Sequence, residues 1–212
     1  MLKMNKKVIF WFGILGAIFF IVPSILGGFQ FENYSHIHQY ISETYAFNTP
    51  YGIYLRVFGF IPSGFFIILF SLYSIKFLPK NKLTTLGLIG FALLYGFGTI
   101  LVSIFPCDMG CNKELIDPSF SQLIHTIVGG ITYAFVPFCL ILIGVVSRSW
   151  SQGKHVTLVS LVCGIVALIF TLILSSNPTG PYLGLYQRII EASNLTWMLT
   201  LAFYIKKTKL AI

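Results

Sequence analysis

Charge is what this chain has least of. Of its 212 residues, 9% are Asp, Glu, Lys or Arg, and only six are acidic. A soluble domain carries roughly 25%. With 56% of its residues apolar, no soluble fold of this length could hide them, so lipid is the solvent for most of the chain. A basic face is missing too. The formal net charge is +8, but the lysines come in short clusters between apolar runs. That is a topology signal, and it excludes nucleic acid as the partner. There is no low-complexity segment, no convincing internal repeat and no room for a second domain. The first apolar run lacks an Ala-x-Ala-like cleavage site and is too long for a signal-peptide core, so it is expected to stay as a first span. A second Cys pair and a flavin motif are both lacking, which argues against a redox relay. The spacing of His36, Asp108 and His125 matches no metal motif. Neither a metal nor a cofactor is expected.

What is present is a series of six apolar runs, at about 8–27, 53–75, 83–105, 123–146, 156–174 and 183–205. Each is close to the length that crosses a core of roughly 30 Å as a helix. The expected fold is all-α: a polytopic membrane protein with a six-transmembrane-helix bundle, forming a single transmembrane domain over residues 1–212. Pro62 predicts a kink in the second span, and the glycines of the third allow close helix approach. Eleven of the 14 basic residues lie at the N-terminus, the second-to-third turn, the fourth-to-fifth turn and the C-terminus. The positive-inside rule then places both termini in the cytoplasm of a cell-membrane protein. The His-rich loop over residues 28–51, the Cys-Asp loop after the third span and the Pro-Gly loop over residues 177–181 face outside. Within the first of them, Ser35 to Glu43 is expected to form a short surface helix.

Counting up from each cytoplasmic anchor at about 1.5 Å per residue puts Arg56, His125, Arg188 and Glu191 at one level near the outer edge of the hydrocarbon. Asp108 lies just beyond it. An ionised group at that depth should face the bundle interior or a wet cavity and find a partner. Arg56, Gly59 and Ser63 fall at i, i+3 and i+7, as do Gln187, Glu191 and Asn194 to within a residue, so each set makes one helical stripe. The expected site gathers Glu43, Arg56, Ser63, Asp108, His125, Gln187, Arg188 and Glu191. Alternatives stay open for several of them. Arg188 with Glu191 is either a plain helix ion pair or part of the site. Arg56 is either an interfacial anchor or an inward partner of Asp108 or Glu191. His125 is either a base or proton-linked switch paired with Asp108, or an interfacial His that fixes the loop. Cys107 and Cys111 are expected to form a disulfide that pins their loop, in preference to a metal or redox pair. Cys139 and Cys163 are expected to be small core residues, Trp197 and the many Phe residues to be lipid-facing or packing groups, and His36 and His38 to be solvated.

Ile41-Ser42-Glu43, Phe105-Pro106-Cys107-Asp108, His125, Gln187-Arg188 and Trp197 together resemble the bacterial membrane family known as domain of unknown function 998. The resemblance spans the chain from the first loop to the last helix, and it implies a six-helix bundle with an outer polar site. The family pattern has an acidic residue before the Arg of the last helix. Here Gln187 stands there, so a carboxylate role would have to pass to Glu191. The resemblance supplies no activity.

Three functions fit the residues. The first is binding or transport, with Arg56 and Arg188 holding an anionic group such as a lipid headgroup. The second is an enzyme acting on a lipid or isoprenoid, with Asp108 and His125 as the catalytic acid–base pair. The third is a structural membrane subunit. Membrane lipids are the expected partners, and the oligomeric state stays open. The inner halves of the spans are nearly free of polar residues, which counts against passage of ions or polar solutes.

Overall fold

The structure, a computed structural model, describes residues 5–208. Lys3 and Lys209, two of the terminal basic residues, lie outside them. Among the described residues the regular structure is helical throughout, with no strand. Six long helices carry the fold: α1 (Lys6–Gln30), α2 (Gly52–Phe77), α3 (Lys82–Ile104), α4 (Phe120–Ser147), α5 (Lys154–Ser176) and α6 (Leu183–Lys207). By length and composition α1 to α5 are apolar enough to cross a membrane. The sixth, 25 residues long, is diluted by polar groups such as Arg188 and Glu191 in its first half and by Lys206 and Lys207 at its end.

Local chemistry sets the helix ends. Asn5, Asn81 and Ser119 cap α1, α3 and α4, each accepting a backbone N–H of the first turn with its side chain. The proline of α2 acts just ahead of itself. Pro62 has no N–H and its ring crowds the carbonyl four residues back. The turn before it, Arg56–Phe60, widens into a π-helix, with the Ile61 N–H bonded to the Arg56 carbonyl. A second π segment, Ala92–Phe97, interrupts α3.

Helices α4, α5 and α6 pack side by side, and α1 packs on α2 and on α6. Glycines make the close approaches. A Cβ on Gly164 would lie 2.7 Å from Ile141 and 3.0 Å from the Pro137 carbonyl, and one on Gly144 2.8 Å from Leu161. The core of the end near the termini holds Phe91 against Trp197, ring centres 4.6 Å apart. The Trp197 indole N–H donates to Ser160 Oγ at 2.9 Å. Trp197 is fully buried, so it is a packing residue rather than a lipid-facing one.

The first loop departs from the surface helix expected over Ser35 to Glu43. Residues 36–38 form a turn, and the chain then dips inward, with a single 3-10 turn at Ser42–Tyr45. Ile41 to Ala46 are all buried. The loop is tied down from both sides: the Leu185 N–H donates to the Ile37 carbonyl at 2.9 Å and the Phe47 N–H to the Cys107 carbonyl at 2.9 Å. A surface helix would need a solvated face. Ile41, Thr44, Tyr45 and Ala46 gain more as a plug between helices than as one side of an exposed turn.

Candidate functional site

The plug covers a cavity of about 470 Å³ at the loop end of the bundle. Its walls come from α3, α4, α5 and α6, with Ile41, Ser42 and Tyr45 above and Phe20 and Phe60 beside. The volume lies within the range of small-molecule sites, and so does the mixture of aromatic wall and a few converging polar groups. A second cavity, about 530 Å³, lies along α1 and α6 and is almost wholly apolar apart from Ser24, His36, Arg188, Glu191 and Thr196. Phe20, Ile41 and Glu191 line both.

Glu191 is the centre of the polar wall and is 7% exposed. Tyr95 Oη donates to its Oε2 at 2.6 Å and Tyr133 Oη to its Oε1 at 2.7 Å. Gln187 Nε2 in turn donates to Tyr133 Oη at 2.9 Å, and Gln187 Oε1 accepts the Ile41 N–H of the plug at 2.6 Å. A chain of bonds thus runs from the first loop to the buried carboxylate. Backbone irregularity places both phenols. Tyr95 sits in the π segment of α3, where one extra residue per turn re-aims a side chain. Tyr133 lies four residues before Pro137, which cannot bond its carbonyl. That carbonyl instead accepts the Thr171 hydroxyl of α5 at 3.3 Å.

His125 lines the same cavity. Its Nδ1 lies 3.1 Å from the Val102 carbonyl and 3.0 Å from the Phe105 carbonyl. Both are acceptors, so Nδ1 carries a proton, and in the neutral ring Nε2 presents its lone pair. Gln122 sits nearby, its Nε2 donating to Thr126 Oγ1 at 2.9 Å and its Oε1 accepting the Asp108 N–H at 2.8 Å.

Two glycines of α4 differ from the rest of the bundle. A Cβ on Gly129 or Gly130 would meet nothing within 4 Å, and both line the cavity. Elsewhere in the six helices a Cβ on a glycine would come within 3.1 Å of a neighbour. Here the missing side chains leave space.

Of the residues expected to form one site, the cavity brings together His125, Gln187 and Glu191. The other five have different places. Asp108 does not pair with His125: its Oδ2 accepts the Ser119 N–H at 3.1 Å. A carboxylate there suits the positive end of α4, and the bonds from Ser119 hold its carboxyl below the usual range. Arg188 does not pair with Glu191, three residues away. Its Nη1 donates to the carbonyls of His36 at 2.7 Å, Gln39 at 2.9 Å and Gly184 at 3.0 Å, and its Nη2 to Tyr34 Oη at 2.8 Å. Arg188 therefore organises the first loop and borders only the second cavity. Arg56 lines neither cavity and meets neither Asp108 nor Glu191. It donates from Nε to the Gly52 carbonyl at 3.3 Å and from Nη1 to the Ser103 carbonyl at 3.4 Å, where the C-terminal end of α3 favours a cation. Ser63 donates to the Gly16 carbonyl at 2.8 Å and joins α2 to α1. The stripe through Arg56 and Ser63 fails because the π turn between them shifts the face by about 100°. Glu43 pairs with Lys113 at 3.0 Å, the only ion pair among the described residues. Lys113 stands at the cavity mouth, and its ammonium lies 5.4 Å from the centre of the Tyr40 ring. Burial, aided by Glu43, pushes the Tyr40 phenol up to about 12.

Cys107 and Cys111 form the expected disulfide. Cys111 Sγ lies 3.2 Å from Ser42 Oγ, so the bridge leans on the plug. A ring nitrogen of His125 lies within 4.8 Å of both sulfurs, but bonded sulfurs are not thiolates and leave no metal-ligand set. Cys139 and Cys163 are free and buried. His36 and His38 are exposed but not solvated alone: His36 Nδ1 lies 3.0 Å from Arg188 Nη2, and His38 Nδ1 contacts the Pro181 carbonyl.

Tyr95, Tyr133, Gln122 and the Gly129–Gly130 pair escaped the sequence reasoning. A tyrosine in the middle of a span carries one usable signal, a hydroxyl that needs a partner in lipid. Adjacent glycines in a helix carry no signal that separates close packing from open space.

Fold and cavity together define a multi-pass helical membrane protein with a polar chamber at one end. The chain belongs to the family described as Protein of unknown function (DUF998), whose model matches residues 14–204. No curated protein and no solved structure matches it.

Proposed function

We propose that the protein is a binding protein for an amphiphilic small molecule or lipid, with the polar end of the ligand seated among Gln122, His125, Gln187 and Glu191. Both termini are cytoplasmic in this reading, the membrane is the cell membrane, and the cavity serves the outer leaflet. The Gly129–Gly130 pair carries the proposal: two helical positions keep no side chain although nothing would obstruct one. Gly129 is half-buried and Gly130 exposed, so the chamber opens sideways at this pair, and the bare backbone leaves an entry for an occupant to pass between helices. The apolar groove along α1 and α6, which shares Glu191 with the chamber, gives room for a tail. Arg56 and Arg188, the cations expected to hold an anionic polar end, are occupied by backbone carbonyls.

The test is to purify wild type and Gly129→Leu in mild detergent and to identify retained amphiphiles by native mass spectrometry. Wild type is expected to hold one, and Gly129→Leu to lose it without a fall in stability, since a Cβ there meets no neighbour and the helix is relieved of the roughly 0.5–1 kcal/mol that a mid-helix Gly costs. Retention of the same molecule by the filled variant would remove the proposal.

A second reading has one observation in its favour. His125, with Nδ1 held by two carbonyls and Nε2 free on the cavity side, is set up as a general base, which suits an enzyme acting on the bound amphiphile. Turnover of a retained ligand that stops in His125→Gln, with binding unchanged, separates this reading from plain binding.

A further inference from the structure

Glu191 is a buried carboxylate with no cation beside it. Its two hydrogen bonds come from neutral phenols, one to each oxygen. Carboxylate oxygens accept about four bonds in all, so acceptor capacity remains. The cationic groups nearby are engaged elsewhere. Arg188 faces the loop carbonyls, Arg56 faces those of Gly52 and Ser103, and Lys113 pairs with Glu43 at the rim. His125 turns its N–H to two carbonyls. An ionisable group within a membrane span is functional by default, and its partner has to be named. No cationic partner is present among the described residues.

The wall around Glu191 is aromatic. Tyr45 and Phe60 have ring centres 4.6 Å apart, Phe20 and Phe60 5.4 Å, and Phe20 and Tyr95 6.1 Å, and all four line the chamber. Ring faces attract cations, most strongly where water is excluded, and sites of this kind receive alkylammonium groups. A carboxylate at the same wall adds the charge term, which a low dielectric strengthens. An anion would meet that carboxylate unscreened.

Resting on the amphiphile reading above, we infer that the polar end of the ligand is a monovalent organic ammonium, with its charge on Glu191 and its alkyl surface against the rings of Tyr45, Phe60 and Tyr95. Two sources share this chemistry: the ammonium headgroup of a membrane lipid, and a free lipophilic amine.

The experiment uses the full chain in nanodiscs, with empty nanodiscs subtracted, titrated calorimetrically with octyltrimethylammonium, octanol and octyl sulfate. Wild type is expected to bind octyltrimethylammonium saturably and at least ten-fold more tightly than the other two. Glu191→Gln removes that preference, and Glu191→Asp retains most of it. Equal affinity for octanol and octyltrimethylammonium, or tighter binding of octyl sulfate, overturns the ammonium inference and leaves the amphiphile reading standing. Failure of all three probes to saturate overturns both. The wild-type series decides the matter even if Glu191→Gln does not fold. Positive-ion mass spectrometry of solvent extracts then separates the sources: a zwitterionic lipid or a free amine retained by wild type and lost in Glu191→Gln identifies which one supplies the ammonium, and either supports the inference.

Discussion

The two ends of this bundle use the same kinds of residue for opposite purposes. At the end near the termini, glycines bring helices together: Gly13 meets Ala202 and Phe70, Gly87 meets Ile143, and Gly144 meets Leu161. Most polar bonds there are short and local, as Ser71 makes to the Ile67 carbonyl and Ser74 to that of Phe70, with Ser160 accepting the Trp197 indole N–H between helices. At the loop end, Gly59 still meets Pro23 and Gly184 the Gln39 carbonyl, but Gly129 and Gly130 face open space, and polar side chains bond between elements, from Ile41 through Gln187 and Tyr133 to Glu191. One end is built to exclude everything but protein. The other holds a chamber open, and the cost of its buried polar groups is offset by bonds that cross from loop to helix. A glycine in a membrane helix is therefore not informative until what faces it is known.

The comparison can be broken most forcefully at Trp197. Its removal in Trp197→Ala leaves a void among Phe91, Met198 and their neighbours and strands the Ser160 hydroxyl. A loss of about 3–5 kcal/mol is expected, as for large-to-small changes in a packed core, read as a large drop in thermal midpoint in detergent. A drop no greater than that of a surface substitution would mean that the end near the termini is not tightly packed. Next in size is Gly164→Leu, which forces a side chain against the Pro137 carbonyl and Ile141 and should cost about 1–3 kcal/mol or more. The matched Gly129→Leu should be neutral to stabilising, because its Cβ meets nothing and the penalty of a mid-helix Gly is lifted. Equal melting of the two variants would erase the distinction between the ends.

The smallest effect concerns the plug. Burial, with the Arg188 guanidinium second, holds the His36 imidazole below its ordinary value. As pH falls below about 6.5 the unfolded segment takes up a proton before the folded one does. The contribution of His36 is therefore full above that pH and is lost as pH falls through the lower, folded value. Amide exchange over residues 34–40, corrected for intrinsic rate, should rise on acidification in wild type and change less in His36→Gln. Identical pH profiles would show that His36 does not hold the loop.

Much of the fold is legible from hydropathy alone, because a helix in lipid must satisfy its own backbone and so needs a long apolar run. The six runs correspond to the six helices to within about three residues at each end. The stripe of Gln187, Glu191 and Asn194 also points inward, since α6 is regular through that stretch. The site was only partly legible, for physical reasons. Arg188 and Arg56 bind backbone carbonyls, which have no sequence signature. The π turns at Arg56–Phe60 and Ala92–Phe97 break the 3.6-residue period on which stripes depend. Tyr95 and Tyr133 stand among 17% aromatic residues, where a tyrosine bonded to a carboxylate looks like one that merely packs. Asn194 remains without a physical account: both polar atoms of its side chain are buried and unbonded among the described residues.

In the proposed reading the chamber at the loop end opens to the outside. In a variant with Cys139 and Cys163 replaced by Ala, single cysteines at Gly130 and at Ser71 are treated in intact cells with a membrane-impermeant maleimide. The account predicts rapid labelling of Gly130→Cys and none of Ser71→Cys, which is fully buried in α2. An unreactive Gly130→Cys, or one labelled only after the cells are opened, would contradict it.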